Sequence, residues 1–402
     1  MNLLKDGIAQ HTVEKTTLTR KLTLDGLTKA YPVYKVRLDQ LFYNEQNDRI
    51  ATWISQYRAQ HDGHAPDASD REHYNAVIEK FIVDSNPDAI RKTQNNIEMV
   101  DQREPGVVLA DGRIIDGNRR FTCLRELAKK NDRFGYFEAV ILDRNIESSA
   151  KQIKLLELSI QHGEENKVDY NPIDRLVGVY NDITATGLLS VEEYARSTNE
   201  TEGEVRKRVE VANLMVEFLE FINAPKQFYI ARDLQLYYPL EELLKLIKKC
   251  STVDEAEDLK NAVFTNILMQ TNGDMTRFVR HIKSVIGTEY QDEFLQEQQG
   301  IAAQVIETLP PQGKVTTESL RETVRSNTEA VRALERSMDK ALTKAKKTET
   351  KNRPILLAEK ATTFLEGIDT NILAKLNDSE LQRLKQQLSR LEDAVRSIRE
   401  YL

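Results

Sequence analysis

Two cysteines in 402 residues, Cys123 and Cys250, stand far apart and outside any CxxC spacing. They exclude a disulfide scaffold and a zinc ribbon and fit a reducing compartment. No apolar run approaches the roughly 18 residues that a membrane-spanning helix needs. The opening MNLLKDGIAQ is no signal peptide. Together these absences predict a cytoplasmic protein without a membrane span. Positive charge is not in surplus either: 57 Lys and Arg face 64 Asp and Glu, a formal net charge of −7. Bulk charge therefore does not advertise nucleic acid, and any DNA contact has to come from a local patch. No internal repeat appears at solenoid or propeller periods.

What is present is a chain long enough for two or three domains, with 40% hydrophobic and 30% charged residues. Residues 33–42 (VYKVRLDQLF) alternate apolar and polar, a strand signal, and 44–49 (NEQNDR) supply turn chemistry. Residues 60–71 (QHDGHAPDASDR) read as a surface loop, part of an insertion at about 56–75, with helix resuming near Glu72. Its His61 and His64, with His73, lack the spacing of a metal site. Residues 107–109 and 113–115 flank Asp111-Gly112, a tight hairpin turn; 121–130 have helical spacing, and 137–142 (FEAVIL) form another strand. The fold class this predicts is α+β: a small N-terminal α/β domain over 1–146, then a mainly α-helical region over 147–250, 251–310 and 311–402.

Within the first domain the stretch 111–122, DGRIIDGNRRFT, carries the chemistry. Gly117 lets the backbone approach a ligand, and the amides of Asn118 to Arg120 open a helix, where free N–H groups and the helix dipole favour an anion. Arg119 and Arg120 add forked donors that match phosphate oxygens. An anion-binding turn and an Asp116–arginine salt bridge capping the helix both fit these residues.

The order of motifs resembles the ParB/sulfiredoxin-like superfamily, above all ParB partition proteins. VRLDQLFYNEQNDR (36–49), DQREPGVV (101–108), IIDGNRR (114–120) and EENKVDYNPIDR (164–175) succeed one another as that family's segments do, with Asp101 where the family's turn has glycine. The resemblance implies a nucleotide pocket. Gly117, Asn118, Arg119 and Arg120 would hold the triphosphate, Gln102 would approach the nucleotide, and Glu165 with Asn166 would help hold a magnesium ion. CTP or ATP is the implied nucleotide. Slow hydrolysis, as a CTPase or ATPase, is compatible with such a pocket, and no catalytic residue is singled out. The superfamily's sulfiredoxin branch uses a cysteine immediately before its basic residue; Cys123 falls a turn later and reads as core.

The second region centres on 189–215, LSVEEYARSTNETEGEVRKRVEVANLM, a helix-turn-helix by spacing. Ser190 and Glu193 form a capping box, Asn199 takes the left-handed turn position, and a second helix starts near Thr201 with Val205, Val209 and Leu214 inward. Arg206, Lys207 and Arg208 are the candidate phosphate contacts on DNA, although Glu202 and Glu204 open the same helix; a hairpin used only for packing is the alternative. Residues 218–247, rich in Tyr, Phe and Leu, read as core.

Further helices are expected over 248–308, a linker over 309–314, and one charged helix over 317–347 whose tail carries Lys340, Lys344, Lys346, Lys347 and Lys351. The closing segment sets Leu381, Leu384, Leu388, Leu391, Val395, Ile398 and Leu402 at steps of three and four, a coiled-coil seam begun by a Ser379/Gln382 capping box. Its partner is either the same helix of a second subunit, giving a homodimer, or the preceding helix of its own chain. The whole resembles a ParB-like, nucleotide-gated and magnesium-gated DNA clamp or switch, of use in plasmid or chromosome partition. The second reading is a ParB-fold NTP-dependent enzyme, an ATPase, kinase or nuclease, in phage defence or DNA modification.

Overall fold

A computed structural model describes residues 2–24, 26–146, 148–163, 171–373 and 375–402. Strands β1 (Val13–Leu24) and β2 (Leu27–Arg37) pair antiparallel as a long hairpin. The expected strand at 33–42 is therefore corrected at both ends. It starts at Leu27, and beyond Arg37 residues Leu38–Gln40 form a 3-10 turn, leaving Phe42 as a lone bridge to Arg113. Most of β1 and the start of β2 are exposed. Their Lys- and Thr-rich text carries little apolar alternation.

Strands β3 (Gly106–Leu109), β4 (Ile114–Asp116) and β5 (Tyr136–Leu142) complete a five-stranded sheet of order β1-β2-β5-β3-β4. β5 runs antiparallel to β2 and parallel to β3, so Val140 lies between Val33 and Val107. Side chains alternate across the sheet. Val36, Val108, Ile114, Ala139 and Ile141 join a core with helices α2 (Arg71–Ser85), α3 (Pro87–Val100) and α4 (Asn118–Ala128), the first of the series being α1 (Ala51–Gln60). Val33, Val107, Ile115, Val140 and Leu142 join a second core with Ile153, Leu156 and Ile160 of α5 (Ala150–Gly163). The loop between α1 and α2 occupies 61–70, and α4 starts at Asn118, the expected helix start, ahead of the helical spacing read from Phe121.

Helices dominate beyond α5: α6 (Pro172–Val179), α7 (Val191–Thr198), α8 (Glu202–Phe221), α9 (Phe228–Asp233), α10 (Tyr237–Ile247), α11 (Val253–Met269), α12 (Met275–Ile282) and α13 (Gln291–Ile306). The fold is thus α+β, as expected. The aromatic and leucine-rich stretch does form core, with Phe218, Phe228, Tyr229, Leu240 and Leu243 all buried. The charged helix expected over 317–347 is broken: α14 (Thr317–Ser319) and a wide turn at Leu320–Val324 precede α15 (Thr328–Glu366), which runs through Pro354. Asn327 caps α15, its Oδ1 accepting from Ala330 N at 3.0 Å.

Two compact units result, 1–339 and 340–402, and the boundaries expected at 146, 250 and 310 all fall inside the first. The second unit holds the later part of α15, α16 (Thr370–Leu373) and α17 (Asp378–Arg399). α17 is begun by a capping box of Asn377 and Glu380, not Ser379 and Gln382, because Asn377 has the extended backbone a cap needs. Leu402 lies past the end of that helix.

Candidate functional site

The β4–α4 turn is built as the sequence predicts. Gly117 sits at φ +101°, and a Cβ there would stand 2.7 Å from Cζ of Phe137, so both backbone and ring demand glycine. Asn118 to Arg120 form the first turn of α4. Arg120 Nη2 donates to Asp116 Oδ2 at 3.1 Å, and Arg20 Nη1, from β1, donates to the same oxygen at 2.9 Å and to the Pro105 carbonyl at 2.6 Å. The salt-bridge alternative is therefore present in the geometry. It leaves two buried polar atoms unsatisfied: Arg120 Nε and Asn118 Oδ1 have no hydrogen-bond partner among the described residues. Such atoms are rare in folded proteins and draw ligands or water.

Gln102 is held by β5. Its Nε2 donates to the Glu138 carbonyl at 2.7 Å and to the Glu104 carbonyl at 3.0 Å, while Glu138 N donates to its Oε1 at 2.9 Å. The side chain thus acts as an extra strand rung and pins the loop that leads into β3. The preceding Asp101 has φ +59° and ψ −174°, a region nearly reserved for glycine. Cys123 is fully buried, and burial pushes its thiol up to about 12 despite the opposing charge of Arg119. It is a core residue without nucleophilic character. Glu165 and Asn166 lie outside the described residues. Among the described residues no cluster of three or more His, Cys, Asp or Glu can hold a metal ion.

The α7–α8 hairpin carries two capping boxes, Ser190/Glu193 and Thr201/Glu204, with Asn199 left-handed at φ +56°. Val205 and Leu214 are buried as expected. Val209 is only half-buried, and the fully covered positions between them are Val211 and Ala212, because a 3.6-residue period carries Val209 to the edge of the buried stripe. The three basic residues differ sharply. Arg206 is 64% exposed and paired with Glu202 at 2.6 Å, and Lys207 is 44% exposed and paired with Glu241. Arg208 is 11% exposed and grips Glu200 with two bonds of 2.6 and 2.7 Å. Although burial alone would raise it, those bonds bring the Glu200 carboxyl down to about 2. Arg208 is thus tied into the hairpin, while Arg206 and Lys207 face solvent.

A polar cluster that the sequence did not reveal joins the sheet region to the helices. Lys154 of α5 lies 2.8 Å from both Asp48 oxygens, 3.4 Å from Asp182 Oδ2 and 3.9 Å from Glu157 Oε2, all buried. Gly178 permits the packing, since a Cβ there would stand 2.7 Å from the Asp48 carboxyl carbon. Nearby Asp174 accepts from Thr52 N at 3.0 Å. Burial pushes Glu157 up to about 8 and Asp182 up to about 7 against the opposing pull of Lys154, and it pushes Asp174 up to about 7 against its hydrogen bonds with Thr52 and the charge of Arg232. Burial lowers Lys154, but Asp48, Glu157 and Asp182 overcome that and hold it well above its usual value.

An open cleft of about 500 Å³ lies elsewhere, between α11 and α13, lined by Asp254, Glu255, Asp258 and Asp292 among others. Its charge opposes a phosphate ligand.

No family model matches the chain, and no curated protein matches it. Among solved structures, it is similar to the C2221 form of a Pnob8-like ParB-N domain at 15% identity, over 66% of this chain and 97% of that one, with a TM-score of 0.38. A likeness of that size carries no argument about the site. The α+β class stands on the sheet and helices themselves.

Proposed function

We propose that the chain binds a nucleoside triphosphate, CTP or ATP, at the β4–α4 turn and uses it to control DNA binding by the helical region. The observation that carries the reading is the buried, unpartnered Nε of Arg120 in the first turn of α4, whose guanidinium packs beside Gly117 in space that a Cβ there would crowd. Phosphate oxygens satisfy that donor and the amides together. The orphaned Oδ1 of Asn118 takes a donor, such as a sugar hydroxyl or a base amino group. The ordered motif resemblance adds support. Phosphate and Asp116 compete for Arg120, so binding loosens the Arg20–Asp116–Arg120 contact and alters how β1 is tied to the turn. No step is assigned to magnesium, whose expected ligands lie outside the described residues.

On the DNA side, Arg206 and Lys207 are the phosphate contacts and Arg208 positions the hairpin. Glu202 is exposed and Glu241 partly so, and such pairs exchange readily for a phosphate. The test is fluorescence anisotropy of a labelled duplex with and without each triphosphate, over a range of salt. A triphosphate-dependent change in affinity with a steep salt slope supports the switch. Phosphoryl transfer to a small molecule without any DNA binding would favour the enzyme reading and refute this one.

A further inference from the structure

We propose that α17 pairs with the same helix of a second copy of this chain, and that the pair runs antiparallel. The inference rests on the second unit alone and is independent of the nucleotide reading. No described residue of α17 is buried. Leu388 is 39%, Leu391 40%, Val395 50% and Ile398 63% exposed, continuing a stripe that starts at Leu381 and Leu384. The stripe runs about 26 Å at the helical rise, long enough for a stable pairing and too long to leave in water.

The flanking charges identify the occupant. Asp378, Lys385, Glu392 and Arg399 are exposed, recur every seventh residue along one flank, and alternate in sign. The other flank, Glu380, Gln387, Ala394 and Tyr401, is nearly uncharged. When two such helices lie antiparallel with the six apolar residues fully overlapped, Leu381 covers the partner's Ile398, Leu384 the partner's Val395 and Leu388 the partner's Leu391. Each flank then faces its own reversed copy. Asp378 meets the partner's Arg399 and Lys385 meets the partner's Glu392, and the two-fold axis doubles both contacts. No like charges meet. In a parallel pair each flank faces the other one, and Glu380 with the partner's Lys385 is the sole charged match. The charge pattern therefore selects a second copy and its direction.

Sedimentation equilibrium of the full chain tests this, with helix content checked by circular dichroism. The wild type forms a dimer. Glu392→Lys raises its dissociation constant roughly tenfold at low salt, because two attractive contacts become repulsive. Adding Lys385→Glu restores the wild-type value to within about twofold, since the signs have only been exchanged. In a parallel pair the double substitution fails to restore it, because the carboxylate introduced at position 385 would face the partner's Glu380. A second measurement uses Cys250→Ser chains: mixing Leu388→Cys with Leu391→Cys yields disulfide-linked heterodimers. A wild type that stays monomeric at about 100 µM, a double variant no tighter than Glu392→Lys alone, or same-site cross-links would each overturn the proposal.

Discussion

Replacing Glu157 by glutamine should change stability in a pH-dependent way whose sign comes from the buried cluster. Burial raises the Glu157 carboxyl from 4.5 to about 8 in the folded chain. A carboxyl raised on folding binds its proton more tightly in the native state. Its full contribution is present below the unfolded value and is lost as pH rises toward the folded one. Across that interval each pH unit costs about 1.4 kcal/mol. Raising pH from about 5.5 to about 8.5 should therefore remove roughly 3 kcal/mol through this group, and somewhat less because Lys154 and Asp182 share the adjustment. The amide of the Glu157→Gln variant does not titrate, and its carbonyl oxygen still accepts the hydrogen bond that Gln161 Nε2 gives to Glu157 Oε1 at 3.0 Å. Urea unfolding of both proteins at the two pH values measures the effect through the midpoints, provided the slopes agree. The variant should gain on the wild type by roughly 2 to 3 kcal/mol at the higher pH relative to the lower. A wild-type-to-variant difference that is the same at both pH values would refute the account of this cluster.

Three further substitutions test other parts of the account. Asp101→Gly should raise stability by about 1 kcal/mol, since the φ of +59° and ψ of −174° cost an L residue strain that glycine does not have; thermal unfolding reads it. Gly117→Val should lower stability by about 2 to 4 kcal/mol, through the left-handed φ and the collision with Phe137, and abolish nucleotide binding. Arg208→Ala should cost about 1 to 2 kcal/mol by removing two charge-assisted bonds to the part-buried Glu200, which keeps Arg175 and Thr198 as partners, whereas Arg206→Ala should leave stability nearly unchanged and reduce the salt slope of DNA binding by about one.

The features legible in the sequence were local. The Asp111-Gly112 hairpin, the glycine ahead of α4, the Ser190/Glu193 cap and the left-handed Asn199 each depend on residues within one turn of chain. The β1–β2 hairpin escaped notice because most of β1 and the first part of β2 lie in solvent, so alternation marks only the stretch of β2 from Val33 onward. The buried cluster was illegible for another reason: Asp48 lies about a hundred residues before the Lys154/Glu157 pair of α5, with Asp174 and Asp182 beyond that, and each charge alone looks like a surface one. Distance in sequence also concealed that Arg120 shares Asp116 with Arg20. The seam of α17 was legible because its period is its content. Its cap shifted by two residues because Asn377 competes with Ser379 for the same role.

The central claim is that a polyphosphate occupies the start of α4. Isothermal titration of the full chain with CTP, ATP, GTP and UTP in magnesium buffer, on wild type and Arg119→Ala, tests it most directly. The account predicts saturable binding of at least one triphosphate by the wild type, weakened about tenfold or more in the variant as a charged phosphate contact is lost. Absence of binding by all four triphosphates, or equal affinity of the two proteins, would contradict it.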